Sequence, residues 1–199
     1  MPKGIPLTEE EQARRRKEIF NASVHLFLEK GFNETSMREI AEAAGIGKST
    51  LYDYFHTKDD ILLSFVEDEL QKLTQRVEEI TERDIAALEK LRLMMFAYMD
   101  YLATNEDFFM KLSLEVQRLA QQSLERIQRR RHALQDKVRH MIEEGIREGS
   151  FRPVDSLLAT RVIFNALTPA VYSTRPSGSR QQMMEDAFTL LLKGIQASF

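Results

Sequence analysis

Residues 45–55 read GIGKSTLYDYF, and this stretch fits two unrelated structures. A phosphate-binding P-loop has the pattern G-x-x-x-x-G-K-[ST] and connects a β-strand to a helix. If Gly47-Lys48-Ser49 ended such a loop, its first glycine would stand at position 42, where the sequence has Glu42. The residues before the stretch are Ala-rich and have helical rather than strand-like spacing. The sequence therefore argues against a P-loop and favours two short helices joined by a turn.

The two short helices have recognisable limits. The first begins at Ser36, since Ser36 and Glu39 form the S-x-x-E pattern of a capping box, and Gly45 ends it. The second covers residues 48–55, with Leu51 and Phe55 at i and i+4 directed into a core. Its other side exposes Gly47, Lys48, Ser49, Thr50 and Tyr52. A cation, hydroxyls and a tyrosine suit DNA phosphates and bases, so we expect a helix-turn-helix. A three-helix unit with a solvated surface is the alternative.

The rest of the chain is also predicted to be helical. A first helix over residues 11–30 ends at Gly31, and a fourth begins at Thr57. Further helices are expected near 85–103, 106–118, 122–148, 155–174 and 180–197. We therefore predict an all-α fold, with a three-helix helix-turn-helix domain over residues 1–58. Residues 59–199 are predicted to form a C-terminal helical bundle that binds ligand and dimerises.

Composition limits the possible functions. The chain has 199 residues, a net charge of −3 and no cysteine, which excludes disulfides and thiolate chemistry. Residues 1–62 hold 9 Lys and Arg against 11 Asp and Glu, so any DNA contact must depend on locally placed cations. No signal peptide or apolar run of about 18 residues is present, and we expect a cytoplasmic protein without a membrane partner.

No arrangement of residues indicates catalysis, and no cofactor is expected. His132, Asp136 and His140 share a helix face but span about 12 Å along one straight helix, so a metal site is not predicted. Residues 118–140 hold 7 Lys and Arg against 2 acids. This basic stretch could contact nucleic acid, hold an acidic effector such as an acyl-CoA phosphate, or be a solvated helix face. Residues 14–17 (RRRK) could equally be a DNA-contacting arm or a solvated helix start.

Three segments of the sequence resemble the N-terminal domain of the TetR family of bacterial transcriptional repressors. They are TSMREIA at 35–41, AGIGKSTLYDYF at 44–55 and KDDIL at 58–62. The resemblance implies a homodimer that binds a palindromic double-stranded DNA operator and releases it when a small, largely apolar effector enters the C-terminal domain. The alternative function is a helical protein–protein interaction module that does not bind DNA.

The family pattern also implies roles for individual residues. Lys48, Ser49, Thr50, Tyr52 and Tyr54 would face the major groove and its phosphates, while Thr35, Ser36, His56 and Lys58 would approach phosphate. Lys58 stands at the first position of a helix, where the dipole disfavours a cation, and this placement favours a phosphate role. Gly47 stands where the family usually has a capping Ser or Thr. Asp53 could accept from a cytosine amino group or pair with a nearby cation.

The C-terminal region supplies two further sets of candidates. An effector pocket is expected among Phe65, Phe96, Met99, Phe109, Leu112, Phe164 and Tyr172, because Met and Phe side chains adapt to apolar ligands. The last two helices are apolar on more faces than a monomer could bury, which predicts a four-helix interface between two copies. The predicted interface residues are Leu158, Val162, Leu167, Val171, Met184, Phe188 and Leu191.

Overall fold

The computed structural model describes residues 8–172 and 177–195, except for the side chain of Ala170, and within these ranges it contains nine α-helices. They are α1 (Glu9–Lys30), α2 (Met37–Ala43), α3 (Lys48–Tyr54), α4 (Lys58–Thr81), α5 (Ala87–Thr104), α6 (Glu106–Gln117), α7 (Gln121–Arg147), α8 (Ser156–Val171) and α9 (Arg180–Ile195). The all-α prediction is confirmed. Every helix begins within two residues of its predicted start. The predicted ends at 174 and 197 lie outside the described residues.

Side-chain caps fix where the N-terminal helices begin. The capping box of Ser36 and Glu39 is present at α2. Thr57 caps α4, where its hydroxyl accepts from the Asp60 amide at 3.0 Å and its own amide donates to the Asp60 carboxylate at 2.9 Å. A third box, of Thr8 and Glu11, begins α1 two residues earlier than we predicted. The sequence T-E-E-E carries the signal for this cap.

The chain divides into two compact units. Unit 1 is Met1–Glu67 with Met110–Leu124, and unit 2 is Asp68–Phe109 with Glu125–Phe199. Helices α4, α6 and α7 each contribute to both units. The boundary that we place between residues 58 and 59 remains a prediction.

The interior of unit 1 determines which side of α3 is exposed. In this unit α1 packs against α2, and α2 packs against α3. Ile40 of α2, Leu51 of α3 and the following Phe55 are each no more than 1% exposed. Because Leu51 and Phe55 fill the interior as predicted, the exposed side chains of α3 lie on its other side.

The core of unit 2 lies among α4, α5, α7, α8 and α9. Helix α5 packs against α8 and α9, which also pack against each other. The core includes Met94, Met95 and Met99 of α5, Val138 of α7 and Leu167 of α8, all completely buried. The apolar stripes of these helices therefore form one continuous cluster.

Glu39 joins the end of α1 to the start of α2. Its carboxylate accepts hydrogen bonds from the Lys30 ammonium and, at 2.8 Å each, from the amide and hydroxyl of Ser36. These donors, Lys30 foremost, lower the pKa of Glu39 from 4.5 to about 2. Since the folded pKa lies below the unfolded one, the contribution of Glu39 to stability is present above the unfolded pKa and is lost as the pH falls toward the folded pKa.

We expect Glu39→Gln to make the melting temperature depend less on pH between about 5 and 2. Thermal melts followed by circular dichroism at a series of pH values measure this dependence. Glu34→Gln, at an exposed position of the preceding turn, is the matched control. If the plot of melting temperature against pH for Glu39→Gln runs parallel to that of the wild type, Glu39 is not the source of this pH dependence.

Candidate functional site

The turn between α2 and α3 is held by backbone hydrogen bonds and one glycine. Gly45 has φ of 67°, a conformation that glycine adopts without steric cost. The Ile46 amide then donates to the Ala41 carbonyl at 3.0 Å, and the Leu51 amide donates to the Gly47 carbonyl at 3.1 Å. Gly47 is the N-cap of α3 and supplies no side-chain cap. The turn thus fixes the direction of α3 by local geometry.

The outer side of α3 presents polar side chains together. Gly47, Lys48, Ser49 and Tyr52 are exposed, while Thr50 and Tyr54 are partly buried. The Lys48 ammonium lies 5.8 Å from the centroid of the Tyr52 ring. The structure thus brings together six residues of the predicted DNA-binding set on one short helix and its cap. Their contact with DNA remains a prediction.

The two residues before α2 differ in accessibility. Ser36 is exposed, and its hydroxyl already takes part in the capping box. Thr35 is only 2% exposed, and its hydroxyl donates to the Gly31 carbonyl at 2.8 Å. The Thr35 side chain is therefore turned into unit 1, and the expectation that it approaches phosphate is corrected. Its hydroxyl instead fastens the turn after α1.

Lys58 has an intramolecular role that the sequence did not show. Its ammonium donates to the carbonyls of Phe32 at 2.6 Å and Asn33 at 3.2 Å, and it lies 4.8 Å from the centroid of the Phe32 ring. These contacts stabilise a cation at the start of α4, so its position is explained without phosphate. The position of Lys58 is therefore no argument for a phosphate contact, and that contact remains a prediction.

The backbone just before Lys58 is hydrogen-bonded to Asp60. The Asp60 carboxylate accepts from the His56 amide at 3.2 Å as well as from the Thr57 amide. These two amides are therefore not available to a phosphate at the start of α4. The His56 and Asp53 side chains are exposed, and their roles stay predictions.

Unit 2 contains an aromatic cluster that includes three of the predicted effector residues. We define it as Tyr98, Tyr101, Phe109, Phe164 and Tyr172. Tyr98 meets Phe164 edge-on at 4.7 Å between ring centroids and stacks on Tyr101 at 6.2 Å. Phe109 lies 5.7 Å from Tyr101 and 5.8 Å from Tyr172. Rings from α5, α6 and α8, with Tyr172 just after α8, thus form a chain of contacts inside one unit.

The tyrosine hydroxyls of the aromatic cluster are neutral hydrogen-bonding groups. Burial raises the pKa of Tyr98, and burial with the nearby Glu69 charge raises the pKa of Tyr101. Burial also raises the pKa of Tyr172, whose hydroxyl donates to the Leu102 carbonyl at 2.7 Å. Arg131 of α7 partly opposes the shift at Tyr98 and Tyr101, because its positive charge is near both hydroxyls.

The other predicted effector residues are divided between the units. Met99 is completely buried in the core of unit 2, and Phe96 packs against that core with its ring 5.6 Å from Phe188. Phe65 and Leu112 belong to unit 1, where Phe65 stacks on Phe20 at 5.2 Å. The grouping of all seven residues in one effector pocket remains a prediction.

The predicted dimer residues fall into three classes. Leu158 and Val162 are 59% and 49% exposed on the outer side of α8. Met184, Phe188 and Leu191 of α9 are partly buried against the core of their own unit. Leu167 and Val171 are 0% and 4% exposed, so they belong to that core and their assignment to an interface is corrected.

Leu190 is 75% exposed but is not among the predicted interface residues. The sequence did not indicate it, because its neighbours at i−4 and i+3 are the charged Asp186 and Lys193.

The described residues offer neither a metal site nor a membrane-spanning helix. Within residues 8–172 and 177–195, no three His, Cys, Asp or Glu side chains come together as a metal would require. Asp136 and His140 instead share a contact along α7, where the His140 Nδ1 lies 2.7 Å from the Asp136 carbonyl oxygen. None of the helices in the same ranges is long and apolar enough to cross a membrane.

The chain matches two family models. The model described as bacterial regulatory proteins, tetR family, covers residues 19–65, and the model described as tetracyclin repressor-like, C-terminal domain, covers residues 84–195. Together they span the α2–α3 region and the aromatic cluster.

Individual relatives agree with these models over nearly the whole chain. The transcriptional repressor KstR2 of Mycolicibacterium smegmatis is 27% identical over 197 residues, which are 97% of this chain and 96% of the relative. The structure of KstR2 from Mycobacterium tuberculosis is 28% identical, with a TM-score of 0.72 over 92% of this chain and 96% of the other. FadR from Bacillus subtilis, solved in complex with stearoyl-CoA, is 25% identical, with a TM-score of 0.76 over 90% of this chain and 99% of the other.

Proposed function

We infer that this chain, which belongs to the tetR family of bacterial regulatory proteins, is a cytoplasmic transcriptional repressor. In this proposal a homodimer binds a palindromic operator and leaves it when a small, largely apolar effector binds unit 2. The observation that carries the proposal is the outer side of α3, where Lys48, Ser49 and Tyr52 are exposed over a buried Leu51. Catalysis has no part in this function.

The operator contact follows from the shape of α3. A second helix of a helix-turn-helix enters the major groove, and a dimer places two such helices about 34–36 Å apart. Lys48 would contact phosphate or a guanine edge, and Ser49, Thr50 and Tyr52 would contact phosphates and bases. We assign residues 1–58 to this contact and residues 59–199 to effector binding and dimerisation.

We expect Lys48→Gln to weaken operator binding and flatten its dependence on salt. Each phosphate contact contributes about 0.9 to the slope of log K against log salt, so losing one in both subunits removes about 1.8. The probe is a duplex selected from a random-sequence pool by the wild-type protein, and fluorescence anisotropy measures affinity across salt concentrations. Lys72→Gln is the control, since the Lys72 ammonium pairs with Asp68 and Glu69.

Two outcomes would count against this proposal. If the wild-type protein selects no duplex, operator binding is wrong and a protein–protein interaction module becomes the better explanation. If Lys48→Gln keeps the wild-type slope, α3 does not contact phosphate through Lys48.

The effector site is proposed at the aromatic cluster. Its rings offer an apolar surface. Arg131 adds a positive charge beside Tyr98 and Tyr101. Because the similar FadR was solved with stearoyl-CoA, an acyl-CoA is the effector class to test first. Its acyl chain would contact the rings, and its phosphates would lie near Arg131.

We expect stearoyl-CoA to release the wild-type protein from the selected duplex, and Arg131→Gln to raise the concentration required about tenfold. This factor corresponds to one lost hydrogen bond to a charged group. Anisotropy of the labelled duplex measures release. Arg129→Gln, another exposed arginine of α7, is the control and should respond like the wild type. If the protein stays on the duplex at every concentration at which stearoyl-CoA is monomeric, an acyl-CoA is not the effector.

A continuous helix offers a route from effector to operator. Helix α4 begins at Lys58 in unit 1 and continues into unit 2, and its 24 residues are about 36 Å long. Movement of its unit 2 part would be transmitted to the start of α4. Lys58 bonds that start to the turn after α1, so unit 1 would move with it. We propose that this movement spoils the spacing of the two α3 helices on the operator.

A further inference from the structure

Of three successive arginines in α1, one has a different partner from the other two. Arg14 and Arg15 both lie beside the Glu18 carboxylate, at 3.9 and 3.4 Å. The Arg16 guanidinium instead lies over the Phe55 ring, 4.6 Å from its centroid. Arg16 precedes the buried Ile19 by three residues, so its stem follows the side of α1 that faces the interior of unit 1. Arg14 is about 200° away around the helix and follows another side.

Phe55 holds the guanidinium at a defined place. It is the C-cap residue of α3, its amide donates to the Leu51 carbonyl at 2.9 Å, and its side chain is 1% exposed. A guanidinium that lies over an aromatic ring contacts the ring through the guanidinium face. The N–H groups at the edge of the guanidinium remain able to bind an anion. Arg16 itself is exposed. A cation is therefore fixed beside the end of the helix that we propose to enter the groove.

The proposed operator surface needs such a cation. The Lys58 ammonium is already bonded to the Phe32 and Asn33 carbonyls. Residues 1–62 carry two more acids than bases, so the overall charge of this region does not attract DNA. Affinity for DNA depends on neutralising phosphates, and Lys48 alone would supply little of it.

We propose that Arg16 is a phosphate-binding residue of the operator interface, positioned by the Phe55 ring at the C-terminal end of α3. The proposal rests on the proposed operator binding. Arg16 would bind a phosphate through its N–H edge, which matches two phosphate oxygens in one plane. Because the ring already restricts the long side chain, less conformational entropy is lost on binding.

Three variants test this role against a purely structural one. Arg16→Met keeps a long side chain over Phe55 and removes the charge, while Arg16→Lys keeps the charge and removes the planar fork. Arg14→Met removes a charge from the same run on another side of α1. For each we would measure affinity for the selected duplex across salt concentrations, together with the melting temperature.

We expect Arg16→Met to lose about 1.8 from the salt slope of the homodimer and at least about tenfold in affinity, with little change in melting temperature. Arg16→Lys should keep the slope but bind more weakly than the wild type, and Arg14→Met should match the wild type. An unchanged slope in Arg16→Met, or an equal loss in Arg14→Met, would overturn the proposal. If Arg16→Met does not fold, Arg16→Lys decides, because wild-type affinity in that variant would refute the need for a positioned guanidinium. Failure of the wild-type protein to select any duplex would refute operator binding itself.

Discussion

Gly145→Ala should lower the free energy of unfolding by about 2–3 kcal/mol, although alanine is a better helix former than glycine. Gly145 is buried in α7, and a Cβ there would lie 2.2 Å from Cδ2 and 2.3 Å from Cε2 of Phe151. The Phe151 ring cannot move aside easily, because Phe151 is 2% exposed and its amide donates to the Gly145 carbonyl at 3.0 Å. The melting temperature should fall by about 5–10 °C.

The measurement is chemical or thermal unfolding at one fixed protein concentration, since assembly affects apparent stability. Gly194→Ala is the matched control, because no heavy atom lies within 4 Å of the Cβ it would add on α9. It should leave the melting temperature unchanged or raise it slightly. Adding Phe151→Leu to Gly145→Ala should recover part of the loss if the clash is its cause. A Gly145→Ala protein as stable as the wild type would show that Phe151 is not packed on this glycine.

Leu158→Glu should convert the proposed homodimer to monomer and weaken operator binding by about 10²–10⁴-fold. Leu158 and Val162 form an exposed apolar pair one turn apart on α8. If a second copy covers this pair, a carboxylate at position 158 would be buried without a partner and would prevent association. A monomer binds one half-site and loses the gain from simultaneous contact with both.

Light scattering after size-exclusion chromatography measures the assembly, and anisotropy with the selected duplex measures binding. Leu114→Glu is the matched control, since Leu114 is 64% exposed on α6 and lies outside the proposed interface. The Leu114→Glu variant should remain a dimer. If Leu158→Glu also remains a dimer with wild-type operator affinity, the outer side of α8 is not the dimer interface.

Much of unit 1 could be predicted because its signals are local. The capping box at Ser36, the positive-φ glycine at position 45 and the i, i+4 pair of Leu51 and Phe55 act within a few residues of each other. They specify α2, the turn and α3 whatever the rest of the chain does. Thr8 was missed for a different reason: its signal is equally local but was not recognised.

The candidate sites were predicted less completely, because accessibility depends on distant residues. Periodicity correctly placed Leu158 and Leu167 on an apolar helix, but it could not tell that Leu167 meets the core and Leu158 does not. The effector pocket that includes both Phe65 and Phe109 remains a prediction.

The sequence by itself determined the helices, their limits and the outward polar side of α3, because hydrogen bonds within a helix and its caps involve neighbours in the chain. Only the tertiary structure decided what Lys58 and Arg16 contact. Lys58 is bonded to carbonyls more than twenty residues before it, and Arg16 lies over a ring 39 positions later. Such pairings depend on how helices pack, and neither helical period nor capping pattern carries that information.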